Sequence, residues 1–325
     1  MVKKQYKYDM KPLFEERMRT LLPDGKDFES YDKIIHQEPL DFIRCNTLKI
    51  TPAKLLERLN KKWKVVQPFK DFPEIMLVEE GLGPGDLGNS IEHQLGYFYV
   101  QELSSMLSVL ALDPKPEEFV LDLCASPGSK TTQIAARMEN TGTIVANDLK
   151  LGRVMILASN LDRCGVTNAV VTRNDAISVA SRISKSSLPK FDRVLVDAPC
   201  SGEGTIRSSP RTLQIWNKKV VDKFSRQQKK FVSFALKCLK KGGVLVYSTC
   251  THAPEENESV VSFILENFPV KAETLRLPVK TRPGILTWNG EEFNEDTCKA
   301  CRIYPQDNDT EGFFVSKFTL LEEVR

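Results

Sequence analysis

The chain has 325 residues, of which 41% are hydrophobic and 27% are charged, a balance typical of a soluble globular protein with one large or two ordinary domains. Its 46 basic and 43 acidic residues give a net charge of +3. This charge is too small to indicate nucleic-acid binding by itself, so any basic surface must be local.

The chain shows no sign of export or of a membrane span. Its first residues, MVKKQYKYDMKPLF, lack the apolar core of a signal peptide, and no later stretch approaches the roughly 20 apolar residues that a membrane-spanning helix needs. We therefore expect a cytoplasmic protein whose cysteines remain thiols. The eight cysteines are spread over the whole chain: Cys45, Cys124, Cys164, Cys200, Cys238, Cys250, Cys298 and Cys301.

The N-terminal part predicts a small α+β unit. A helical pattern covers residues 10–22, and four later stretches predict a strand, a capped helix and two more strands. These stretches are DFIRCNTLKI, TPAKLLERLN, WKVVQPF and EIMLVEE. The segment GLGPGDLGN at residues 81–89 then predicts a turn or linker. We place a boundary there, between an N-terminal unit of residues 1–90 and a second domain of residues 91–325.

In the second domain, short apolar runs alternate with helical segments, which predicts a parallel sheet covered on both faces. The runs are FVLDLC, GTIVAND, AVVTRND, FDRVLVDAPC and GGVLVYSTC. Residues 177–190 predict a polar connection. A lysine-rich helix follows at residues 217–243 and is predicted to cover the sheet with an apolar stripe of Val220, Phe224, Phe231, Phe234 and Leu239.

Ligands of such sheets bind at the carboxyl ends of the strands. The first strand leads into CASPGSKTT at residues 124–132, a small-residue turn before a helix start that could face a carboxylate or phosphate. Asp148 follows about 20 residues later, at a spacing suited to ribose hydroxyls. Asp175 ends the third strand on the same rim and is suited to an adenine amine. Either aspartate could instead be a helix N-cap.

A pair of cysteines is the most specific pattern in the sequence. The usual doubly wound order brings the ends of FDRVLVDAPC and GGVLVYSTC together, so Cys200 and Cys250 should flank one pocket beside the cofactor. A single cysteine at a strand end is more often packing, but a matched pair next to Asp197 favours chemistry. Chemistry and spacing leave open which of the two attacks.

Zinc binding and dehydrogenase activity are weaker interpretations. Zinc normally takes four cysteine or histidine ligands with a close pair. Cys298 and Cys301 form such a pair without a second one, and His252 near Cys250 is a weak partner, so we expect no metal. The lack of G-x-G-x-x-G argues against a dehydrogenase.

With these motifs, the chain resembles the NOL/NOP/Sun family of RNA (cytosine-5)-methyltransferases, and in particular its compact archaeal-type tRNA members. The resemblance covers nearly the whole chain, through FIRCNTLK, GYFYVQELSSML, LDLCASPGSKT, VAND, DAPCSGEGT, YSTCT, PEENESVV and RIYPQDNDTEGFFVSKF. It implies a Rossmann-like class I methyltransferase domain with a mostly parallel, doubly wound, seven-stranded sheet. A small RNA-recognition-like α+β domain would precede it, and S-adenosylmethionine would be the cofactor.

The resemblance also implies roles for single residues. Cys250 would be the nucleophile and Cys200 would promote product release, while Asp197 activates the target base and Lys130 positions it. The family usually has two glycines before this lysine, where the chain has Ser129. Cofactor contacts are implied for Cys124, Ala125, Ser126, Pro127, Gly128, Ser129, Lys130, Asp148, Arg153, Asp175 and Asp197.

The target cytosine must be single-stranded or flipped out of its stack, because a stacked base cannot present carbon 6 to a thiol. Arg207 and Arg211, after DAPCSGEGT, are expected to hold phosphates. The basic residues of the N-terminal unit either bind RNA or form a solvated face: Arg44, Lys54, Arg58, Lys61, Lys62 and Lys64.

We expect a tRNA substrate, because the chain is compact and carries no long basic extension, and we expect a monomer. Ribosomal RNA is the alternative substrate. A DNA or small-molecule methyltransferase would share the cofactor half of the pattern. A non-catalytic RNA-binding module with a methyltransferase fold is disfavoured, because Lys130, Asp148, Asp197, Cys200 and Cys250 are all present.

Overall fold

A computed structural model describes residues 9–184 and 189–324 of the protein. The first part of these residues contains α1 (Pro12–Leu21), α2 (Gly25–Ile35), β1 (Asp41–Cys45), α3 (Pro52–Leu59), β2 (Lys64–Val66), β3 (Ile75–Glu80), α4 (Asp86–Asn89), α5 (Ile91–Gln94) and β4 (Phe98–Val100). The middle contains α6 (Leu103–Leu112), β5 (Phe119–Asp122), α7 (Ser129–Arg137), β6 (Thr143–Asp148), α8 (Leu151–Cys164), β7 (Ala169–Arg173), α9 (Ala176–Ser184), β8 (Phe191–Asp197), α10 (Arg211–Ile215), α11 (Lys218–Cys238) and β9 (Leu239–Thr249). The last part contains α12 (Glu258–Asn267), β10 (Val270–Glu273), β11 (Arg282–Pro283), β12 (Thr287–Trp288), β13 (Glu291–Glu292), β14 (Cys301–Ile303), α13 (Pro305–Asn308) and β15 (Phe313–Leu320).

The N-terminal unit is built on an antiparallel sheet with the order β2-β3-β1-β4. The predicted strand, helix, strand and strand are present as β1, α3, β2 and β3. The Thr51 side chain accepts a hydrogen bond from the Lys54 N–H and caps α3, as the sequence indicates. Strand β4 pairs with β1 and ends at Val100, so the sheet continues beyond the boundary predicted at residue 90.

Helices α1 and α2 pack away from this sheet. Phe14, Met18 and Tyr31 are buried in one apolar cluster with Trp216 and Tyr304, which belong to the second domain. The first two helices of the predicted unit 1–90 therefore lie on the second domain. An amphipathic pattern tells which face of a helix is buried, but not which surface buries it.

The large sheet has the order β11-β14-β15-β9-β8-β5-β6-β7, and β10 also pairs with β15. Strands β5 to β9 are parallel and are the five that the apolar runs predict. Strand β8 lies between β5 and β9, as expected. Within the described residues the sheet has nine strands rather than the predicted seven, because the short strands β10 and β11 extend its antiparallel side.

The segment predicted as a polar connection is helical at its start, since α9 runs to Ser184. Its residues 185–188 lie outside the described part of the chain. Every helix within the described ranges falls short of the length and apolar character that a membrane crossing demands.

The parallel strands are buried on both faces, and residues such as Leu121, Val194 and Leu245 are 0% exposed. Each side chain of this size stabilises the fold by about 1.5–3 kcal/mol when it leaves water. Because the strands run in one direction, their carboxyl ends meet at one edge of the sheet. The residues that follow β5, β6, β8 and β9 form the candidate site.

Candidate active site

Two thiols meet at the ends of β8 and β9. The Sγ atoms of Cys200 and Cys250 are 3.2 Å apart, within hydrogen-bond distance for sulfur. The hydrogen bond to Cys250 and the burial of the thiol raise the pKa of Cys200 well above its usual value, and the nearby Glu256 raises it further. Cys200 therefore keeps its proton at neutral pH, and either thiol can donate the hydrogen bond between the two sulfur atoms.

Lys130 and Asp197 form an ion pair next to these thiols. Lys130 is the second residue of α7, and its Nζ is 2.8 Å from Asp197 Oδ2 and 2.8 Å from the Ser105 hydroxyl. The other oxygen of Asp197 accepts a hydrogen bond of 2.7 Å from the Ser248 hydroxyl on β9. The carboxylate and the ammonium thus have fixed positions at the strand edge.

The loop that carries Cys200 is held by a buried acid. Glu256 is 0% exposed and accepts hydrogen bonds from the Ser201 N–H at 3.0 Å and from the Gln228 side chain on α11 at 2.9 Å. Burial raises the pKa of Glu256 to about 8, although both hydrogen bonds lower it. Gln228 also donates to the Pro199 carbonyl, so one glutamine ties the helix to this loop.

The turn between β5 and α7 is shaped for a close approach of backbone. Gly128 has φ 104°, a conformation that side chains with a Cβ disfavour, and it precedes the first turn of α7. Ser129 is already helical and needs no glycine, and its carbonyl accepts from Arg44 Nη1 at 2.7 Å. The departure from the two-glycine pattern is therefore accommodated at this position.

Asp148 lies at the end of β6 with a carboxylate that is almost fully buried. Both of its oxygens are 3.1 Å from Arg153 Nε. The Arg153 guanidinium also donates to the Ser126 carbonyl at 2.7 Å, and the Ser126 hydroxyl donates to the Arg153 carbonyl. The structure thus brings Asp148 and Arg153, two predicted cofactor residues, into direct contact with each other.

Asn147 joins the ends of three neighbouring strands. Its side-chain amide donates to the carbonyls of Leu123 and Asn174, and its oxygen accepts from the Thr172 hydroxyl. Asp175 lies on the same rim and caps α9 through the N–H groups of the two residues after Ala176. The helix N-cap interpretation of Asp175 is therefore realised in this structure, and its contact with adenine remains a prediction.

A cleft of about 340 Å³ opens above Cys250, and it is lined by both parts of the chain. The second domain contributes Lys130, Asp197 and Phe313 to its wall. The rest of the lining includes Pro39, Leu40, Asp41, Phe42, Val100, Glu102, Ser104, Ser105, Ala198, Thr205, Ser208 and Glu311. The cleft thus combines an apolar wall with a thiol, an acid and an ammonium group, which is a suitable environment for a planar, polar ring.

Two protein families match the chain. The family described as 16S rRNA methyltransferase RsmB/F matches residues 109–319, and the family described as the N-terminal domain of 16S rRNA methyltransferase RsmF matches residues 10–103. The first match alone covers more than half of the chain. The chain belongs to the RsmB/F methyltransferase family.

Two relatives of this RsmB/F protein are named for different RNA substrates. A tRNA (cytosine(49)-C(5))-methyltransferase of Pyrococcus abyssi is 41% identical over 316 residues, which cover 97% of each chain. A ribosomal RNA small subunit methyltransferase F of Vibrio campbellii is 40% identical over 318 residues, which cover 96% of this chain and 63% of the relative. The chain thus spans less than two thirds of the length of that relative.

Solved structures agree with the fold. A methyltransferase homologue protein of Pyrococcus horikoshii is 34% identical and has a TM-score of 0.81. The match covers 95% of each chain. NSun6 of the same organism, solved with SFG, is 25% identical with a TM-score of 0.82, and the match covers 96% of this chain and 98% of that one. The RsmB/F chain therefore has the Rossmann-like methyltransferase fold together with the N-terminal domain.

One predicted RNA contact of the RsmB/F chain is contradicted by the structure. The side chain of Arg207 is 0% exposed. Its guanidinium donates to the carbonyls of Gln37, Glu38 and Thr310 and to the carboxylate of Asp309. These acceptors occupy the group that was expected to hold a phosphate, so Arg207 is a structural residue. Arg211, at the start of α10, is exposed, and its contact with RNA remains a prediction.

The basic residues of the N-terminal unit divide in a similar way. Arg44 is 2% exposed and binds α7, through the Ser129 carbonyl and the Thr132 hydroxyl. Arg58 and Lys62 are at the surface, and both form ion pairs with Glu92. Arg44 therefore joins the two parts of the chain and does not contribute to a basic RNA surface.

Sequence reasoning missed several residues that hold the site of this RsmB/F protein. Ser105 contacts Lys130, and Ser248 contacts Asp197. Gln228, on a helix expected only to cover the sheet, holds Glu256. Ser248 lies inside the YSTC motif, but the motif does not reveal that this serine holds Asp197. Glu311 lies inside RIYPQDNDTEGFFVSKF, one of the segments that carry the resemblance, but its place beside Cys250 depends on the antiparallel pairing of β15 with β9.

Proposed function

We propose that this protein transfers a methyl group to carbon 5 of a cytidine in RNA, most directly in tRNA, through a covalent bond between Cys250 and carbon 6. The observation that carries the proposal is the contact between the two thiols, whose Sγ atoms are 3.2 Å apart, where Cys250 lines the same cleft as the ion pair of Lys130 and Asp197. A relative that is 41% identical and is named as a tRNA cytosine-5 methyltransferase supports the same reaction.

The residues at the strand ends fit S-adenosylmethionine as the cofactor. The turn at Gly128 leads into the first turn of α7, whose N–H groups can face an anionic group, and the buried carboxylate of Asp148 can accept hydrogen bonds from ribose hydroxyls. A structural relative solved with SFG, an analogue of this cofactor, supports the assignment. When bound, S-adenosylmethionine supplies an electrophilic methyl group on its sulfonium. Arg153 must then share or release the Asp148 carboxylate.

Carbon 5 of cytosine is a weak nucleophile, and a thiol can change this. The Cys250 thiolate forms a bond to carbon 6, and the electrons of the 5,6 double bond make carbon 5 an enamine carbon that accepts the methyl group. A water molecule then takes the proton from carbon 5, the electrons of that C–H bond re-form the double bond, and the bond between Sγ and carbon 6 breaks. Because Cys200 keeps its proton beside the Cys250 sulfur, it can protonate the departing thiolate.

Asp197 and Lys130 support the addition step. Negative charge develops at N3 of the base when the thiolate adds to carbon 6. The Lys130 ammonium can supply a proton to this nitrogen through the Asp197 carboxylate to which it is hydrogen-bonded. Lys130 and Ser248 hold Asp197 from both sides, so the acid need not reorganise during the reaction. We infer that Lys130 holds the Asp197 carboxylate and the target cytosine in one plane.

The choice of tRNA rests on the similarity to the tRNA enzyme of Pyrococcus abyssi, which is 41% identical over 97% of each chain. We also propose that the protein acts as a monomer, with its N-terminal unit contributing to RNA binding.

One experiment tests both the reaction and the substrate. The purified protein is incubated with labelled S-adenosylmethionine and separate pools of tRNA, ribosomal RNA and DNA, and 5-methylcytosine is then mapped in each pool. We expect label in tRNA. Label in ribosomal RNA alone would establish the alternative substrate, and a lack of label in every pool would indicate a binding module without activity.

A further inference from the structure

Glu311 precedes β15 and is held beside the reactive thiol by a short series of backbone hydrogen bonds. The Gly312 N–H donates to the Gly204 carbonyl at 2.8 Å, and the Gly204 N–H donates to the Cys250 carbonyl at 2.9 Å. Three distant segments are therefore joined at the end of β9. The segment of Glu311 is fixed relative to the nucleophile.

These backbone contacts among the three segments depend on two glycines. A Cβ on Gly204 would lie 2.2 Å from the Gly312 carbonyl oxygen, and a Cβ on Gly312 would lie 2.3 Å from the His252 ring. Both distances are far below van der Waals contact. The close approach is therefore built into the sequence, and it aligns Glu311 with the cleft above Cys250.

The Glu311 side chain is 5% exposed, and its two oxygens differ. One accepts a hydrogen bond of 2.8 Å from the Ser208 N–H, while the residue's own N–H donates to Glu102 Oε1 at 3.0 Å. The other oxygen, Oε2, is buried and has no hydrogen-bond partner among the described residues. Glu311 lines the same cleft as Cys250, Asp197 and Lys130. A buried polar atom without a partner is costly, so a ligand in the cleft is the natural source of one.

We propose that Glu311 contacts the target base, and that its Oε2 donates a hydrogen bond to the carbonyl oxygen at position 2 of the cytosine. The inference deepens the proposed function and rests on it. Asp197 serves the N3 side of the ring, so O2 is the remaining acceptor on which charge accumulates when a thiolate adds to carbon 6. A donor placed at that oxygen stabilises the transition state more than the free base.

The protonation state follows from the neighbours of Glu311. Burial raises its pKa to about 7, the hydrogen bond from Ser208 lowers it, the charge of Glu102 raises it and the charge of Arg207 lowers it. Lys130 and Asp197 line the cleft as a mutually neutralising pair. Glu311 is therefore a donor below pH about 7 and loses its proton as the pH rises through that value.

The test compares Glu311→Gln with Glu311→Leu. Glutamine keeps an oxygen for the Ser208 N–H and offers an N–H at the place of Oε2, without titrating. Single-turnover methyl transfer to tRNA is measured from pH 6 to pH 8.5, together with covalent trapping on tRNA that contains 5-fluorocytidine, whose C–F bond blocks elimination. Glu322→Gln, an exposed carboxylate beyond the other end of β15, is the matched control.

We expect Glu311→Leu to slow both methyl transfer and trapping about 10- to 100-fold, and Glu311→Gln to stay within about threefold of the wild type at pH 6. From pH 6 to pH 8 the protonated fraction of a group with this pKa falls about tenfold. The ratio of wild-type to Glu311→Gln rates should fall by a similar factor, while the ratio for Glu322→Gln stays constant.

Three results would overturn the inference while the wild type is active. Glu311→Gln could be as slow as Glu311→Leu, which would make the carboxylate an acceptor or a base. The rate ratio could be independent of pH, or Glu311→Leu could be fully active. If Glu311→Leu fails to fold, the pH ratio of Glu311→Gln still decides. A wild-type protein that methylates no RNA overturns the proposed function itself, and the inference with it.

Discussion

At the scale of single residues, the site separates two thiols that look alike in the sequence. Cys200 lies behind a proline, and the hydrogen bond to Cys250 and burial raise its pKa. Strand-end position predicted that Cys200 and Cys250 would meet, and they do. The hydrogen bond, the burial and Glu256 all raise the pKa of Cys200, and no motif reveals them. The roles of the two thiols come from the family resemblance and remain a prediction.

Replacement of each thiol should have a different outcome. Cys250→Ala removes the nucleophile, and methyl transfer should fall by about four orders of magnitude or more. Cys200→Ala should leave the addition to carbon 6 possible and trap the protein on RNA as a complex that survives denaturing electrophoresis. Cys298→Ala, at an exposed thiol, is the control. A Cys200→Ala protein that turns over normally without trapping would refute this division of roles.

Arg207 and Arg211 make a second matched pair. Arg207→Ala leaves buried carbonyls without donors and should destabilise the protein by about 3 kcal/mol or more in urea unfolding. Arg211→Ala should change the stability by less than about 0.5 kcal/mol. It should instead weaken tRNA binding and reduce the slope of log affinity against log salt by roughly 0.7–0.9.

The opposite pattern is also informative for this pair. A stable Arg207→Ala protein with weak tRNA binding would restore the role expected from the sequence. Sequence reasoning failed at Arg207 because a charge next to a functional loop has the same appearance whether the fold exposes it or encloses it.

At the scale of secondary structure, α11 shows how a nearly correct element can still be misread. The sequence predicts a sheet-covering helix at the right place. The expected stripe is right at Phe231, but Val220 and Phe224 are only half-buried, and the buried face instead contains Val221 and Gln228. The buried face includes a polar residue because Gln228 has a partner in Glu256, and a hydrophobic pattern cannot register such a position.

The Glu256 carboxyl should make stability depend on pH. Burial raises its folded-state pKa to about 8, above the ordinary value of 4.5, so the folded protein binds more protons than the unfolded chain between these values. Its contribution is therefore present below pH 4.5 and is lost as the pH rises through 8. Glu256→Gln keeps the acceptor oxygen and should be less sensitive to pH in thermal unfolding from pH 5 to pH 9. Equal pH dependence of the two proteins would contradict this.

At the scale of the whole molecule, the two units are joined by buried polar side chains. Arg44 on β1 reaches Gln101 and two residues of α7. The Asn46 amide donates to the carbonyls of Gly96 and Cys164, which links the N-terminal sheet to the end of α8. The sequence predicted both units and most of their strands. The boundary at residue 90 remains a prediction, although β4 pairs with β1 and the helices α1 and α2 pack on the second domain through long-range contacts that local patterns do not contain.

Arg44→Met should loosen this joint. The substitution removes donors from Ser129 and Thr132 and should lower the stability by about 2–4 kcal/mol. Trp63 reports on the N-terminal unit, whereas Trp216 lies in the cluster of the second domain. In the wild type, urea unfolding followed in single-tryptophan variants should give coincident transitions. In Arg44→Met the Trp63 transition should come first.

Arg58→Met, at a surface arginine of the same unit, provides the control, and its transitions should stay coincident. Coincident transitions in Arg44→Met would show that the joint is held by other contacts.

The wall of the cleft above Cys250 is shared between the two units. Leu40, Phe42 and Val100 come from the N-terminal segment, and Lys130 and Asp197 come from the second domain. A catalytic domain expressed alone would keep its thiols and its acid but would present them in an open groove. Exchange of N-terminal units between related enzymes would therefore change the shape of the cleft that holds the target base. The choice of nucleotide and the rate of methyl transfer to it would then change together.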